Sequence, residues 1–370
     1  MLNVTGHDGS VAGTTRRRIL IVEPNSSGHR LYYVAELIEY ALSINLAPVL
    51  LTSRFVAGSE DYEVHLGRLH GTFSVVEAAG KITLRTASAF ADDLDATAVI
   101  VPDGDRWALR LGLGVGRVQR PISVLIMRAS VQPRNWPIIT KVAQPVRIRI
   151  IRRAARRSKI AVTFLRPANW RGDSHDMIVR DPIQFRAPVD PDAREKIRSR
   201  MQFRANSRVV GVLGALDERK NVDLVLAAVS QLRIPNIVVL IAGRMSDIVR
   251  GQVGAAPPDL DMQIVDRLLS DQELDEAIVC CDVVVAAYSN ESPSGIVGKA
   301  LIAGTPIVAA GAAELRNMLV DAPNGRWVHL SIADLVNAIE EALRLPRSPN
   351  RDLEITRAMF ARALIDPVLV

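Results

Sequence analysis

Cysteine is nearly absent from the 370 residues: there are two, adjacent at Cys280-Cys281 inside an apolar run. Read as neighbours on a strand, they point to opposite faces. That excludes a disulfide or a chelating pair and leaves two buried thiols of a reducing compartment. Aromatic residues are 4% of the chain, too few to supply the stacking platforms that single-stranded nucleic acid needs. The six histidines are scattered, with no HxH or HxxxH spacing, so no metal cluster is expected. No run approaches the roughly 18 apolar residues of a membrane span. Arg16-Arg17-Arg18 precede only a short apolar stretch ending at Glu23-Pro24, too short for a signal-peptide core. The G-x-G-x-x-G fingerprint is missing, which speaks against a nicotinamide or flavin enzyme, and so are a Walker loop and a G-x-S-x-G elbow. These absences imply a cytoplasmic protein, with peripheral attachment to a membrane left open.

What is present is ordinary for a globular protein: 48% apolar and 23% charged residues, in a chain long enough for two domains. The net charge of +6 is not evenly spread but concentrated between Arg147 and Arg171.

Apolar runs alternate with helical patterns. Arg18 to Val22 reads as a strand, followed by a loop and a helix from Leu31 to Leu46. Further strands are expected at Pro48 to Thr52, Ala98 to Val101 and Ile122 to Met127. The second half repeats the logic, with strands at Arg208 to Leu213, Asn236 to Ala242, Gln263 to Val265 and near Val283 and Ile307. The expectation is α/β: two Rossmann-like parallel-sheet domains facing a central cleft. The boundaries are a disordered tail over 1–17, a first Rossmann-like domain over 18–187, a second over 188–345, and a C-terminal helix over 346–370 that packs back on the first domain. That helix is expected to present Ile355, Ala358, Met359 and Ala363 on one side.

The stretch Ser289 to Gly311 carries the most chemistry. A buried strand leads into a polar loop, then a small-residue helix from Ser294 to Ala303 closed by Gly304. Ser294, Gly295 and Ile296 at its first turn offer unpaired amides and the positive end of a helix dipole, an anion site. Glu291, just ahead, suits the hydroxyls of a sugar or ribose. Together these suggest a nucleotide-sugar.

Other motifs have two readings. Lys220, in the loop Gly214 to Asn221, gains nothing from the helix that follows, so it either meets a bound anion or is solvated beside Asp217, Glu218 and Arg219. Gly28-His29-Arg30 opens the first helix, as a ligand loop or as ordinary polar residues. Asp103, Asp105 and Arg128 lie just past strand ends, near the expected cleft. Arg147 to Arg157 forms a basic amphipathic helix with Arg149, Arg152, Arg153 and Arg156 on one face and Ile148, Ile151 and Ala155 on another. It suits an anionic membrane surface, or is the solvated face of a core helix.

Taken together, these stretches resemble the retaining glycosyltransferases of family 4, which have the GT-B fold. The likeness runs from about Arg18 to the C-terminus and is strongest from Val209 to Ala310. Gly214, Leu216 and Lys220 match the family's Gly-Arg-Leu…Lys-Gly loop, and Gly304, Pro306, Val308 and Ala309 its Gly-x-Pro-Val-Val-Ala. The resemblance implies Lys220, Glu291 and Arg219 as catalytic residues. It implies donor contacts from Gly28, Gly214, Arg244, Ser294, Gly295, Ile296 and Lys299, with Leu268 and Leu269 near the nucleotide base. His29, Arg30, Asp103, Asp105 and Arg128 would serve the acceptor.

Three positions depart from the family. Ala215 stands where the loop arginine is expected, Lys299 where the second of two glutamates is expected, and no histidine follows the fourth strand. A lysine at 299 can pair with Glu291 or reach a phosphate, but it cannot accept hydrogen bonds from a ribose diol.

The function implied is transfer of a sugar from a nucleoside-diphosphate donor to a glycan, lipid or small-metabolite acceptor. No cofactor is implied and a metal is not required. The alternative is a catalytically degenerate GT-B module that binds a nucleotide, a glycan or a partner glycosyltransferase. An epimerase of the same fold lacks the acid and base residues expected of it.

Overall fold

The structure, a computed structural model, describes residues 4–5, 16–25, 30–116, 119–127, 138–167, 170, 174–290, 294–350 and 357–369. Fourteen strands among them form two sheets. The first holds β1 (Val4–Thr5), β2 (Arg18–Val22), β3 (Ala47–Ser53), β4 (Ser74–Ala78), β5 (Ala96–Val101), β6 (Ile122–Ile126), β7 (Ile160–Arg166) and β8 (Met177–Arg180). Their order is β1-β4-β3-β2-β5-β6-β7-β8, all parallel except β1. The second holds β9 (Arg208–Leu213), β10 (Ile237–Ala242), β11 (Met262–Val265), β12 (Val283–Tyr288), β13 (Ile307–Gly311) and β14 (Gly325–Val328). It is parallel throughout, in the order β11-β10-β9-β12-β13-β14.

The central strands are apolar along their length because helices cover both faces. Isoleucine, leucine and valine of β2 are fully buried after an exposed Arg18, and β9 repeats the pattern after Arg208. Each sheet thus has an apolar layer on either side. In β9 the missing side chain of Gly211 matters: a Cβ there would come within 2.4 Å of Cys281 Sγ.

Several expectations are corrected. Within the tail expected to be disordered, Val4 and Thr5 pair antiparallel with Val76 and Val75. Residues 1–3 and 6–15 lie outside the described residues. Cys280 and Cys281 end the helix Asp271–Cys280 rather than lying on a strand, and both are buried free thiols beside the Ala277 carbonyl. In the basic helix Ile138–Ala155, Ile151 and Ala154 face the core, and Ala155 is exposed. A helix packed at close range turns different residues inward than simple spacing gives. A Cβ on Gly112 of the neighbouring helix Asp105–Gly112 would come within 1.9 Å of the Ile150 carbonyl.

The chain crosses between sheets twice, and the first crossing is held by side chains, the second by backbone hydrogen bonds. At the first, Tyr33 Oη donates to Asp181 at 2.8 Å and Tyr32 Oη to the Pro182 carbonyl at 3.1 Å. Ile183, Phe185 and Ala187 then enter the core of the second domain. At the return, Ser348 and Asn350 donate to the carbonyls of Gly304 and Leu301. Gly304 has φ +70°, and a Cβ there would also strike the Pro349 backbone nitrogen, so glycine meets two demands at once.

The C-terminal helix Arg357–Ile365 lies on the first domain, with Phe360 4.8 Å from the Tyr33 ring. Its buried face is Phe360, Ala361, Leu364 and Ile365. Ala358 and Met359, expected to face inward, are exposed, Met359 at 55%, because the larger Phe360 takes the core position. Ile355 lies outside the described residues.

Candidate active site

Strand order reverses once in each sheet. In the second sheet β9 leads outward to β10 and β11, whereas β12 leads the other way to β13 and β14. At such a reversal the helices after the two strands pack on opposite faces of the sheet, and ligands of open α/β sheets bind at the strands' carboxyl ends between them. The loops flanking it are 214–221 after β9 and 289–294 after β12.

These two loops are tied together. Ser289 N–H donates to the Arg219 carbonyl at 3.0 Å, and Asn221 Nδ2 donates to the Ala287 carbonyl at 2.8 Å. Asn221 itself adopts φ +44°, an αL conformation that asparagine tolerates. Lys220 closes a single 3₁₀ turn, Glu218–Lys220, and its ammonium donates to Tyr288 Oη while lying 3.8 Å from the ring centre. Tyr288 Oη shares a 2.8 Å hydrogen bond with Ser294 Oγ, which caps the helix Gly295–Ala303 by accepting from Val297 N–H. The cation and the helix N-terminus are thereby joined through one tyrosine. Gly214, with φ +94°, brings its backbone against Ile296, whose Cδ1 would stand 3.2 Å from a Cβ at that position. Leu268 and Leu269, half-buried, follow β11 at the same edge.

Lys299 is elsewhere. Its ammonium donates to Asp275 at 2.5 Å and to the Gln184 carbonyl at 3.0 Å, while Asp275 also accepts from Arg186 N–H at 2.7 Å. Burial raises the Asp275 carboxyl to about 6 against the pull of Lys299. The lysine expected at the donor instead fastens the interdomain crossing, because the buried Asp275 requires a counter-ion. Arg219 is held by Asp217, at 3.0 Å from Nε to Oδ2, so its charge is already matched.

In the first sheet the reversal lies between β2 and β5. Glu23, just after β2, is fully buried. One of its oxygens accepts from Asn25 N–H at 2.9 Å, and the other has no hydrogen-bond partner among the described residues. Burial, helped by the Asp103 charge and opposed by Arg30 and the Asn25 hydrogen bond, pushes its carboxyl up to about 8. Arg30 forms a two-point contact with Asp103, at 2.9 Å from Nε and 2.8 Å from Nη2. Asp105, expected beside them, is buried and bonded to Arg147 Nη2 at 2.7 Å, so it holds the basic helix. Gly28, His29, Arg128 and Glu291 lie outside the described residues.

Among the described residues the two carboxyl edges meet at Arg244. Arg244, just after β10, reaches Asp61 in the helix Glu60–Leu66, at the same edge of the first sheet, at 3.2 Å.

Glu23, Asp61, Asp275 and Tyr288 were not singled out from sequence. Tyr288 had a usable signal, as the last residue of an apolar strand before a polar loop. The three carboxylates had none, since their roles depend on partners far along the chain.

Two Rossmann-like domains whose carboxyl edges face each other, each with its loops at a strand-order reversal, define the GT-B fold of glycosyltransferases. Solved structures share it. Sucrose-phosphate synthase from Thermosynechococcus elongatus has a TM-score of 0.62 at 14% identity, covering 96% of this chain and 94% of that one. Anabaena HepE in complex with UDP-glucose has a TM-score of 0.63 at 14% identity, covering 95% and 94%. Residues 193–358, which take in the whole second sheet, match the model of the family glycosyl transferases group 1. A curated relative, the D-inositol 3-phosphate glycosyltransferase of Mycolicibacterium smegmatis, is 28% identical over 186 residues, 47% of this chain and 41% of the relative. The aligned part thus spans less than half of that protein.

Glu23 generates a prediction. Its folded value near 8 exceeds the ordinary 4.5, so between those pH values the folded chain binds more protons than the unfolded one. Its contribution is full below about pH 4.5 and lost as pH rises through about 8. Glu23→Gln should leave stability at pH 5 little changed and raise it at pH 9 by about 3–5 kcal/mol, read by chemical denaturation. Equal pH profiles for variant and wild type would contradict the buried, protonated carboxyl.

Proposed function

We propose that the protein is a retaining glycosyltransferase that moves a sugar from a nucleoside-diphosphate donor to a hydroxyl-bearing acceptor: a glycan, a lipid or a small metabolite. One observation carries the reading: the Lys220 ammonium and the N-terminus of the helix Gly295–Ala303 are joined through Tyr288 and Ser294. A departing diphosphate needs fixed positive charge where its oxygen develops negative charge, and that place offers it. Lys220 supplies an ammonium, and the first amides of the helix, those of Gly295 and Ile296, supply oriented N–H groups. Arg219 contributes less while Asp217 holds it. Glu291 holds the hydroxyls of the donor sugar, and Leu268 and Leu269 flank the base.

Cationic side chains in this role make a metal ion unnecessary for stabilising the leaving group. The acceptor lies across from the donor, at the β2–β5 edge, near Arg30 and Asp103. The UDP-glucose in the HepE complex is consistent with a sugar nucleotide as donor, and the name of the aligned mycobacterial relative with glycosyl transfer.

Calorimetric titration with UDP, GDP, TDP and ADP tests the donor site. One nucleotide should bind, and Lys220→Ala should abolish that binding and lower turnover about 10²–10³-fold. Wild-type affinity and rate in Lys220→Ala would remove the assignment.

We also propose that the basic helix meets an anionic membrane surface. Arg147 and Arg152 are held by Asp105 and Asp176, so the exposed Arg149, Arg153 and Arg156 carry this contact. Among the described residues no helix is long and apolar enough to cross a membrane. Reversing those three charges should release the protein from vesicles containing anionic lipid. Unchanged sedimentation with such vesicles would end the membrane proposal.

A further inference from the structure

A diphosphate carries more negative charge than one ammonium balances, and the loop after β9 offers little else. Ala215 has no charge, and Arg219 is held by Asp217. Arg244 stands beside the same loop. Its carbonyl accepts from Leu216 N–H at 2.9 Å, and Met245 is bridged to Leu216. The preceding Gly243, at φ +136°, allows so close an approach that a Cβ there would come within 2.0 Å of the Gly214 carbonyl oxygen. The backbone of Arg244 is therefore fixed on the donor loop.

Its guanidinium is fixed from the other domain. Nη1 donates to Asp61 Oδ2 at 3.2 Å, and Nη2 lies 3.3 and 3.2 Å from the two Asp61 oxygens. Glu60 Oε2 stands 3.6 Å from Nη1. The two acidic neighbours differ in burial: the Asp61 side chain is 10% exposed and that of Glu60 57%. Removing the counter-ion from Asp61 would strand a charge in a medium that solvates it poorly, whereas Glu60 can return to water. An anion that draws on this guanidinium therefore competes with Glu60 rather than with Asp61. Arg244 Nε–H has no hydrogen-bond partner among the described residues and remains for the ligand.

We infer that Asp61 is a positioning residue for the donor: from the first domain it holds Arg244 of the second so that the free edge of the guanidinium meets the diphosphate of a nucleotide-sugar. This rests on the donor reading proposed above. It makes the donor site a joint product of both domains, complete only when their carboxyl edges touch. Asp61 and Glu60, adjacent in sequence and alike in charge, then act with opposite sign. Asp61 supports binding by orienting the cation, and Glu60 competes for it.

The test uses the full chain, the nucleoside diphosphate that the wild type binds best, and the corresponding nucleoside, each titrated by calorimetry. Asp61→Asn should weaken diphosphate binding about tenfold and leave nucleoside binding unchanged. Glu60→Gln should bind the diphosphate as tightly as wild type or more so. Arg244→Gln should lose at least as much as Asp61→Asn, and combining the two should cost nothing further.

If Asp61→Asn does not fold, the contrast between Arg244→Gln and Glu60→Gln carries the same comparison. Diphosphate affinity that is indifferent to Asp61 and Arg244, or a loss shared equally by the nucleoside, would overturn the inference. The donor site would stand in that case if Lys220→Ala still abolished binding. A wild type that binds no nucleoside diphosphate would overturn both.

Discussion

The reversal of strand order between β9 and β12 is the constraint from which the candidate site follows. Parallel strands buried on both faces carry apolar side chains, so polar chemistry is confined to their ends. Carboxyl ends at a reversal have room for a ligand because the helices that follow leave toward opposite faces of the sheet. Lys220 and Ser294 come from the two loops at this point, and Tyr288, the last residue of β12, bridges them. The first sheet repeats the arrangement with Glu23, Arg30 and Asp103 at the ends of β2 and β5. Between these places the chain supplies fixed cations on one side and a buried carboxyl with an ion pair on the other.

The two domains are held in relation by chemistry that the sheets do not provide. The Tyr33–Asp181 hydrogen bond and the Lys299–Asp275 pair fasten the two ends of the first crossing. Phe360 and its neighbours bring the end of the chain back onto the first domain. A buried ion pair contributes little net stability against an apolar alternative, yet breaking it is costly. Here it fixes the crossing itself, through the Gln184 carbonyl and the Arg186 amide.

The architecture was legible because it rests on local signals. Apolar runs such as RILIV and RVVGVL announce buried parallel strands, and Gly304 and Ser294 announce the ends of a helix. The short strands β4, β8 and β14 escaped because four or five residues with mixed burial carry no decisive pattern, and β7, seven residues long, escaped beside the basic helix that precedes it. Lys299 shows the limit of spacing. Its place in the chain matches a ligand residue of the resembled family, but Asp275, 24 residues away, claims its charge. Asp61 and Arg244 are 183 residues apart, and nothing in either neighbourhood names the other. Met359 and Ala155 were turned the wrong way because helical periodicity gives a face without saying which neighbour sets its centre.

The central claim is that a diphosphate sits where Lys220 and the helix Gly295–Ala303 converge. Diffraction from crystals grown with the nucleoside diphosphate that binds best tests it directly. The account predicts phosphate oxygens within about 3 Å of Lys220 Nζ and of the Gly295 and Ile296 amides, a charge-assisted hydrogen-bond distance. A nucleotide bound with its phosphates away from this helix, or Lys220 still seated on Tyr288 with the nucleotide present, would contradict it.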